Sequence, residues 1–225
     1  METFFFQVWS LAMAKQGYHH GNLRNQLIHE TISALHEVGH REITLRGMSR
    51  KIGVSHSAPY RHFSDKRALL CAVAAEGFRM LTCAIRSEME EDEPVSVLQI
   101  EQIGVAYVRF AVENQELYHL MFGNDEIKEN PSAELLQEAT KAYSFAEGVF
   151  SKAQENGLLD TTSYPNPMNV IWAALHGLAS LIINDQIANA SGDDISLMLI
   201  QDSRSHIKTD IYDLVRGTLR MMLRG

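Results

Sequence analysis

Apolar residues recur along most of the chain at the three- and four-residue spacing of an α-helix, and the alternation typical of a half-buried β-strand is rare. Asn22 is a suitable N-cap for a first helix, and Gly39 is a suitable residue to end it. The pattern therefore predicts an all-α fold. Further helices are predicted over residues 45–52, 56–63, 64 to at least 78, 95–114, 115–122, 131–156, 167–189 and 194–223.

Residues 44–63 have the pattern of two short helices joined by a tight turn at Gly53. Thr44 can cap the first helix and Ser55 the second. This is a helix-turn-helix signature. We expect it to complete a three-helix unit over residues 15–70, followed by a helical body over residues 71–225. Residues 1–14 are expected to be an extension, absent if translation starts at Met13, or a disordered arm.

Two apolar stretches raise the question of a membrane. Residues 2–14 lack the basic start of a signal peptide and carry Glu2 there instead. Val170–Ile183 is interrupted by His176 and is shorter than the roughly 20 residues that a membrane helix needs. We therefore expect a buried helix and no membrane. Two cysteines, too few for a disulfide framework or a structural zinc site, favour a reducing compartment, the cytoplasm.

The charge is distributed unevenly. The chain has a net charge of −8, which by itself argues against a nucleic-acid partner. Residues 14–70, however, contain nine Lys and Arg against four acidic residues, a balance of +5 that leaves −13 for the remainder. Seven of the ten histidines also lie in this window. The pattern indicates a basic binding module on an acidic body.

The second short helix of a helix-turn-helix enters the DNA major groove, where residues at its start reach the base edges. His56 and Ser57 are therefore the predicted base readers. Side chains at helix starts and flanks are suited to phosphates, where backbone N–H groups also point. The candidate DNA-binding residues are Thr44, Arg46, Ser55, His56, Ser57, Tyr60, His62 and Lys66.

The same stretch resembles a known family. Gly53-Val54-Ser55 followed by Tyr60-x-His62-Phe63-x-x-Lys66-x-x-Leu69 is similar to the helix-turn-helix of TetR transcriptional regulators, over about residues 20–70. One branch of that family also has the patterns His19-His20-Gly21-Asn22-Leu23-Arg24, Tyr118-x-Leu120-Met121-Phe122 and Trp172-x-x-x-His176-Gly177. The resemblance implies a homodimer that binds a palindromic double-stranded DNA operator, usually as a repressor.

Two residues depart from the family pattern. Gly47 lies inside a short helix, where glycine costs about 1 kcal/mol relative to alanine. Ser49 stands where the family usually has alanine. Neither change removes an expected DNA contact, so both bear on the stability of this helix.

In regulators of this type the helical body holds an effector pocket, and Met and aromatic side chains suit a small apolar or aromatic ligand. The candidate effector-binding residues are Phe110, Met121, Phe122, Trp172 and His176. The last two helices have long apolar faces, which predict dimerisation through a two-fold four-helix bundle. Those faces contain Leu175, Leu178, Ile182, Leu197, Ile200, Ile211, Leu214, Val215 and Leu219.

Two alternatives to an effector-controlled repressor remain. One is a DNA-binding regulator without a ligand, whose body binds a protein partner. The other is a zinc hydrolase, because His36-Glu37-Val38-Gly39-His40 satisfies H-E-x-x-H. That motif needs one uninterrupted helix, and Gly39 is expected to end it. No phosphate-binding loop and no G-x-S-x-G nucleophile elbow is present in the sequence, so we expect neither an enzyme nor a cofactor or catalytic metal.

Overall fold

The chain folds as a series of α-helices whose ends are set by short capping residues. We describe it from a computed structural model. The expectations for residues 1–14, for His19 and His20 and for the Asn22 cap lie outside the described part. The structure describes residues 23–89, 94–159, 166–184, 187–190, 194–197 and 211–223.

The first helix, α1, spans Leu23–Glu42 but contains one residue that is not helical. Gly39 has φ of 66° and ψ of 166°, a conformation that an L side chain rarely adopts. The regular helix therefore ends where the glycine predicted its end. Its buried face includes Leu27, Ile32 and Leu35 at helical spacing.

Helix α2 spans Leu45–Ile52 and is capped at both ends. The Thr44 hydroxyl oxygen accepts a hydrogen bond from the Gly47 N–H at 3.0 Å. Gly53 ends the helix in the left-handed conformation, with φ of 77°. Its N–H bonds to the Arg50 carbonyl while the Val54 N–H bonds to the Ser49 carbonyl, which is a Schellman motif. Both predicted caps are present.

The next segment differs from the prediction. Residues 56–63 do not form an α-helix: a turn leads into a 3₁₀ helix over Pro59–Arg61. The Ala58, Arg61 and His62 N–H groups bond three residues back. Pro59 explains the difference, since it has no N–H and its ring crowds the preceding turn of an α-helix.

Helix α3 spans Lys66–Arg86, and Asp65 caps it by accepting a bond from the Ala68 N–H at 2.7 Å. By length and composition it is apolar enough to cross a membrane, but two thirds of its apolar window (67%) is buried inside the protein. A core helix has the same composition, and Leu69, Leu70 and Val73 are fully buried.

The chain continues as α4 (Val97–Glu113), α5 (Gln115–Gly123), α6 (Asp125–Glu129) and α7 (Ala133–Glu155). Helix α4 begins with a capping box between Ser96 and Gln99. The short α6, capped by Asn124, was not predicted.

The last part of the chain corrects a second prediction. Helix α8 spans Pro167–Ile183 and α9 spans Ile211–Arg220, both shorter than predicted. Strands β1 (Ile187–Ala190) and β2 (Asp194–Leu197) pair antiparallel between them, with Ile187 opposite Leu197. Asn184 caps the end of α8. Residues 191–194 are Ser-Gly-Asp-Asp, residue types that favour turns, whereas the spacing of the neighbouring apolar residues predicted helices on either side. The fold class remains all-α, with one short hairpin.

The structure groups the chain into two units. The first contains the described residues up to Glu76 together with Glu116–Leu135. The second contains Gly77–Gln115 and the described residues from Leu136 onward. The predicted division between residues 70 and 71 stays a prediction. The inclusion of residues 116–135 in the first unit was not foreseen.

In the second unit, α4 packs closely against α8 and α9. A Cβ atom on Gly104 would lie 2.5 Å from Leu219 Cδ1, 3.2 Å from Val215 Cγ1 and 3.4 Å from Leu175 Cδ2. The buried Glu101 accepts two bonds from Arg220, at 2.6 and 3.2 Å, which raises the pKa of the Arg220 guanidinium. Glycine at residue 104 is therefore what allows the helices to approach.

This packing corrects the expectation that the apolar faces of the last helices are left for a partner chain. Leu175, Leu178, Ile182, Val215 and Leu219 are buried within the protomer. The side chains of Leu197, Ile200 and Ile211 lie outside the described part, and Leu214 is half-buried.

We predict that Gly104→Ala destabilises the protein by about 1–3 kcal/mol, because the new methyl group overpacks the contact of α4 with α8 and α9. Gly148→Ala is the matched control: Gly148 lies in α7 with no atom near the added methyl group, so better helix propensity should stabilise it by about 0.5–1 kcal/mol. Urea unfolding of the three proteins measures both effects. Stabilisation by both substitutions would contradict the packing described.

Candidate nucleic-acid interface

The eight predicted DNA-binding residues lie in or beside the helix-turn-helix of the first unit. All are exposed except Lys66, which is half-buried. The exposed fraction of Tyr60 is 50%, high for so large an apolar ring. Exposure is what a surface that reads another macromolecule requires. Their individual contacts to DNA stay a prediction.

The segment that carries the predicted base readers is fixed by the residues beside them. Pro59 and Phe63 are buried, while His56, Ser57 and Tyr60 are exposed. The His62 and Phe63 N–H groups both bond to the Pro59 carbonyl, at 2.9 and 3.0 Å. We call residues 55–63 the recognition segment. It is a short turn held by two buried anchors, so its exposed side chains point away from the core.

The Thr44 hydroxyl has a structural role in this unit. Its Oγ caps α2, yet the residue is exposed, so its hydroxyl hydrogen remains available to a phosphate. A Cβ on Gly47 would lie 2.9 Å from this oxygen. The departure at Gly47 therefore leaves room for the cap. Ser49 is also accommodated, since its buried hydroxyl donates to the Leu45 carbonyl at 2.9 Å.

The cations of the unit differ in their availability. Arg46, Arg50 and Arg61 are exposed and make no ion pair with a described residue. Lys51 pairs with Glu37 at 3.5 Å. Lys66 donates from Nζ to the Arg41 carbonyl at 2.6 Å, so one of its three N–H groups is already used.

Arg50 and Arg61 were missed as candidate site residues. The signal for Arg50 was available: it lies four residues after Arg46, which puts both guanidinium groups on one face of α2. Arg61 lies in the recognition segment beside Tyr60, but without the 3₁₀ geometry its direction could not be inferred from helical spacing.

The H-E-x-x-H motif does not have the geometry that a zinc protease requires. Gly39 breaks the regular helix between His36 and His40, so the two rings do not share one helical face. Glu37 is an ion-pair partner of Lys51. Among the described residues no group of three or more His, Cys, Asp or Glu could hold a metal ion.

The predicted effector-binding residues fall in both units. Phe110, Trp172 and His176 belong to the second unit, whereas Met121 and Phe122 belong to the first. Phe110 and Met121 are buried, and Phe122 packs against Tyr118 with ring centroids 4.8 Å apart.

Of the three residues in the second unit, His176 has a polar neighbour that was not predicted. The buried Tyr107 hydroxyl lies 3.2 Å from Nδ1 of His176, whose ring centroid is 5.8 Å from that of Trp172. Tyr107 lies three residues before Phe110 on α4. A hydrogen-bonding pair in apolar surroundings can orient a ligand that has one polar group.

Residues 100–200 match the sequence family described as tetracyclin repressor-like, C-terminal domain. The match covers less than half of the chain and shows that this segment is similar to that C-terminal domain. No curated protein matches the chain. The branch with Trp-x-x-x-His-Gly stays a prediction.

Solved structures share the fold of this chain. The chain is similar to a protein of unknown function from a Rhodococcus species, with a TM-score of 0.70, 28% identity and coverage of 93% of this chain and 100% of that one. It shares the fold of the TetR family transcriptional regulator PfmR from Thermus thermophilus, with a TM-score of 0.56, 15% identity and coverage of 89% and 98%. It also shares the fold of a TetR family transcription regulator from Marinobacter aquaeolei, with a TM-score of 0.59, 11% identity and coverage of 90% of this chain and 96% of that one. The chain thus shares the fold of these solved structures.

The start of α3, next to the recognition segment, gives a pH-dependent prediction. The backbone bond from Ala68 is the largest cause that lowers the pKa of the Asp65 carboxyl. A lowered pKa in the folded state adds stability that is present above the unfolded value near 3.9 and is lost as the pH falls through the folded value.

We predict that Asp65→Ala costs about 1 kcal/mol at pH 7. The difference from the unaltered protein should shrink as the pH falls below about 4. Asp65→Asn keeps a capping oxygen without the charge and should lose less. Urea unfolding between pH 7 and pH 3 measures this. A cost that is the same at every pH would rule out the charged cap.

Proposed function

We propose that this chain is a sequence-specific transcriptional regulator of the TetR family, a repressor that a small apolar or aromatic effector releases from a palindromic operator. The observation that carries the proposal is the recognition segment: His56, Ser57 and Tyr60 are exposed on a turn whose neighbours Pro59 and Phe63 are buried. Arg46, Arg50 and Arg61, which are exposed and make no ion pair with a described residue, supply the positive charge that attracts phosphates. A regulator of this kind acts where the DNA is, in the cytoplasm.

The proposed roles divide between bases and backbone. His56 and Ser57 stand at the start of the recognition segment and would contact base edges in the major groove. Tyr60 and Arg46 would contact phosphates, since an exposed phenol and a free guanidinium both donate. Lys66 would add a phosphate contact with the donors that Arg41 leaves unused. His62 would lie at the edge of the interface.

A two-fold homodimer would match the palindrome. The buried leucines cannot form its interface, because they fill the protomer core. The exposed face of α8 is available instead: Asn169, Trp172 and Ala173 are exposed, with Trp172 at 40%. We therefore propose dimerisation through the last two helices by this opposite face.

The effector would bind in the second unit near Phe110, Trp172 and His176. The apolar walls suit an apolar or aromatic body, and the Tyr107–His176 pair suits one polar group on it. Release from DNA needs different effector affinities for two conformations, typically about 1–3 kcal/mol apart.

We predict that base readers and phosphate contacts separate in one experiment. His56→Ala should change which bases are enriched at one half-site position, while Tyr60→Ala and Arg46→Ala should weaken all duplexes similarly. Arg46→Ala should also lower the slope of log affinity against log salt by about one. Selection of sites and anisotropy titrations measure these effects, with the exposed Lys152→Ala of α7 as the charge-matched control.

The assignment of base readers is wrong if His56→Ala and Ser57→Ala both retain the preference of the unaltered protein. The assignment of phosphate contacts is wrong if Lys152→Ala lowers the salt slope as much as Arg46→Ala does. The effector part is tested by Trp172 fluorescence and operator release with a panel of aromatic and aliphatic acids, phenols and neutral analogues. Failure of every apolar class to release DNA would contradict it.

A further inference from the structure

Arg24 makes two contacts that join distant parts of the first unit. Its guanidinium lies over the Phe63 ring, 5.5 Å from the centroid. Its Nη2 also donates to the carboxylate of Glu134. Arg24 is in the first turn of α1, Phe63 ends the recognition segment and Glu134 is in the first turn of α7. One side chain in α1 therefore contacts two other stretches of sequence.

The contact with Phe63 matters because the recognition segment has few internal bonds. It has one short 3₁₀ turn, and Phe63 is its buried anchor on the α3 side. An arginine that stacks on the anchor ring limits how far the ring can tilt. The single bond from Arg24 Nη2 to the Glu134 carboxylate in turn limits where the guanidinium can move.

The stretch that holds Glu134 has a second bond to the helix-turn-helix. Arg67, in the first turn of α3, donates from Nη1 to the Asn130 carbonyl at 2.6 Å. Residues 130–134 thus touch both ends of the DNA-binding part, at α1 and at α3. From Leu136 onward α7 belongs to the second unit, where the effector is proposed to bind.

We infer that Arg24 is a positioning residue for DNA recognition, held by Glu134 and holding Phe63, so that the order of the recognition segment depends on the start of α7. The inference rests on the proposed DNA-binding function. It explains why an arginine that is not among the candidate DNA contacts occurs in the Leu23-Arg24 pattern at the start of α1.

A direct phosphate contact is the competing role for Arg24, and the charge of Glu134 distinguishes the two. Removing an acidic charge near DNA should strengthen binding by simple electrostatics. If Glu134 instead holds Arg24 in place, Glu134→Gln should weaken specific binding although it removes a negative charge. The two roles therefore predict opposite signs for one substitution.

The variants are Arg24→Lys, which keeps the charge but loses the planar stack, Glu134→Gln and the double variant. The matched control is the ion pair of Arg109 and Glu88 in the second unit, at 2.7 Å, with side-chain exposures of 34% and 26% against 37% and 32% for Arg24 and Glu134. Arg109→Lys and Glu88→Gln alter a similar pair without touching Phe63.

Two readouts are used. The first is affinity for the duplex selected by the unaltered protein and for random duplex. We expect Arg24→Lys and Glu134→Gln each to weaken the selected duplex by about two- to fivefold, a size typical of such contacts, with little change for random duplex and for the control pair. The double variant should lose no more than the larger single effect, because both substitutions break one contact chain.

The second readout is amide hydrogen exchange of the protein without DNA. The His62 and Phe63 amides, which bond to the Pro59 carbonyl, should exchange about two- to fivefold faster in both single variants and not in the controls. Unchanged exchange, tighter binding by Glu134→Gln or additive losses in the double variant would overturn the inference. If no duplex is selected but exchange rises as expected, the positioning role stands and the proposed DNA-binding function fails.

Discussion

The burial of Phe63 is the constraint on which the candidate interface depends. The recognition segment is too short and too poor in backbone bonds to hold its own direction, because Pro59 interrupts α-helical bonding. Two buried side chains, Pro59 and Phe63, fix it against the core instead. Tyr60 and His62 lie between these anchors, and His56 and Ser57 lie just before Pro59, so the burial orients the exposed side chains on both sides of Pro59. Packing of an anchor, more than helix formation, therefore presents the predicted base readers.

The helix ends of the first unit could be predicted from the sequence because capping is local chemistry. Thr44 and Gly53 each act through atoms three to five residues away, and each is found in its predicted role. Short-range hydrogen bonds and a positive φ are visible in residue types. The α-helix predicted over residues 56–63 was wrong for an equally local reason, since a proline at the fourth position outweighs the surrounding helical spacing.

Features that depend on residues far apart in the chain could not be predicted from the sequence. Leu175, Leu178 and Leu219 have the spacing of a helix face, but spacing alone does not say whether that face meets its own chain or a second one. The face meets its own chain because Gly104 lets α4 approach α8 and α9. Likewise the contact of Arg24 with Phe63 and Glu134 joins residues far apart in sequence, and no pattern along the chain marks it.

The central claim is that two copies of the recognition segment read one palindromic duplex. Selection of binding sites from random DNA by the unaltered chain at near-physiological salt tests it most directly. We expect enrichment of an inverted repeat whose half-site centres are about one helical turn apart, roughly 10 base pairs. Enrichment of no motif, or of a single site without two-fold symmetry, would contradict it.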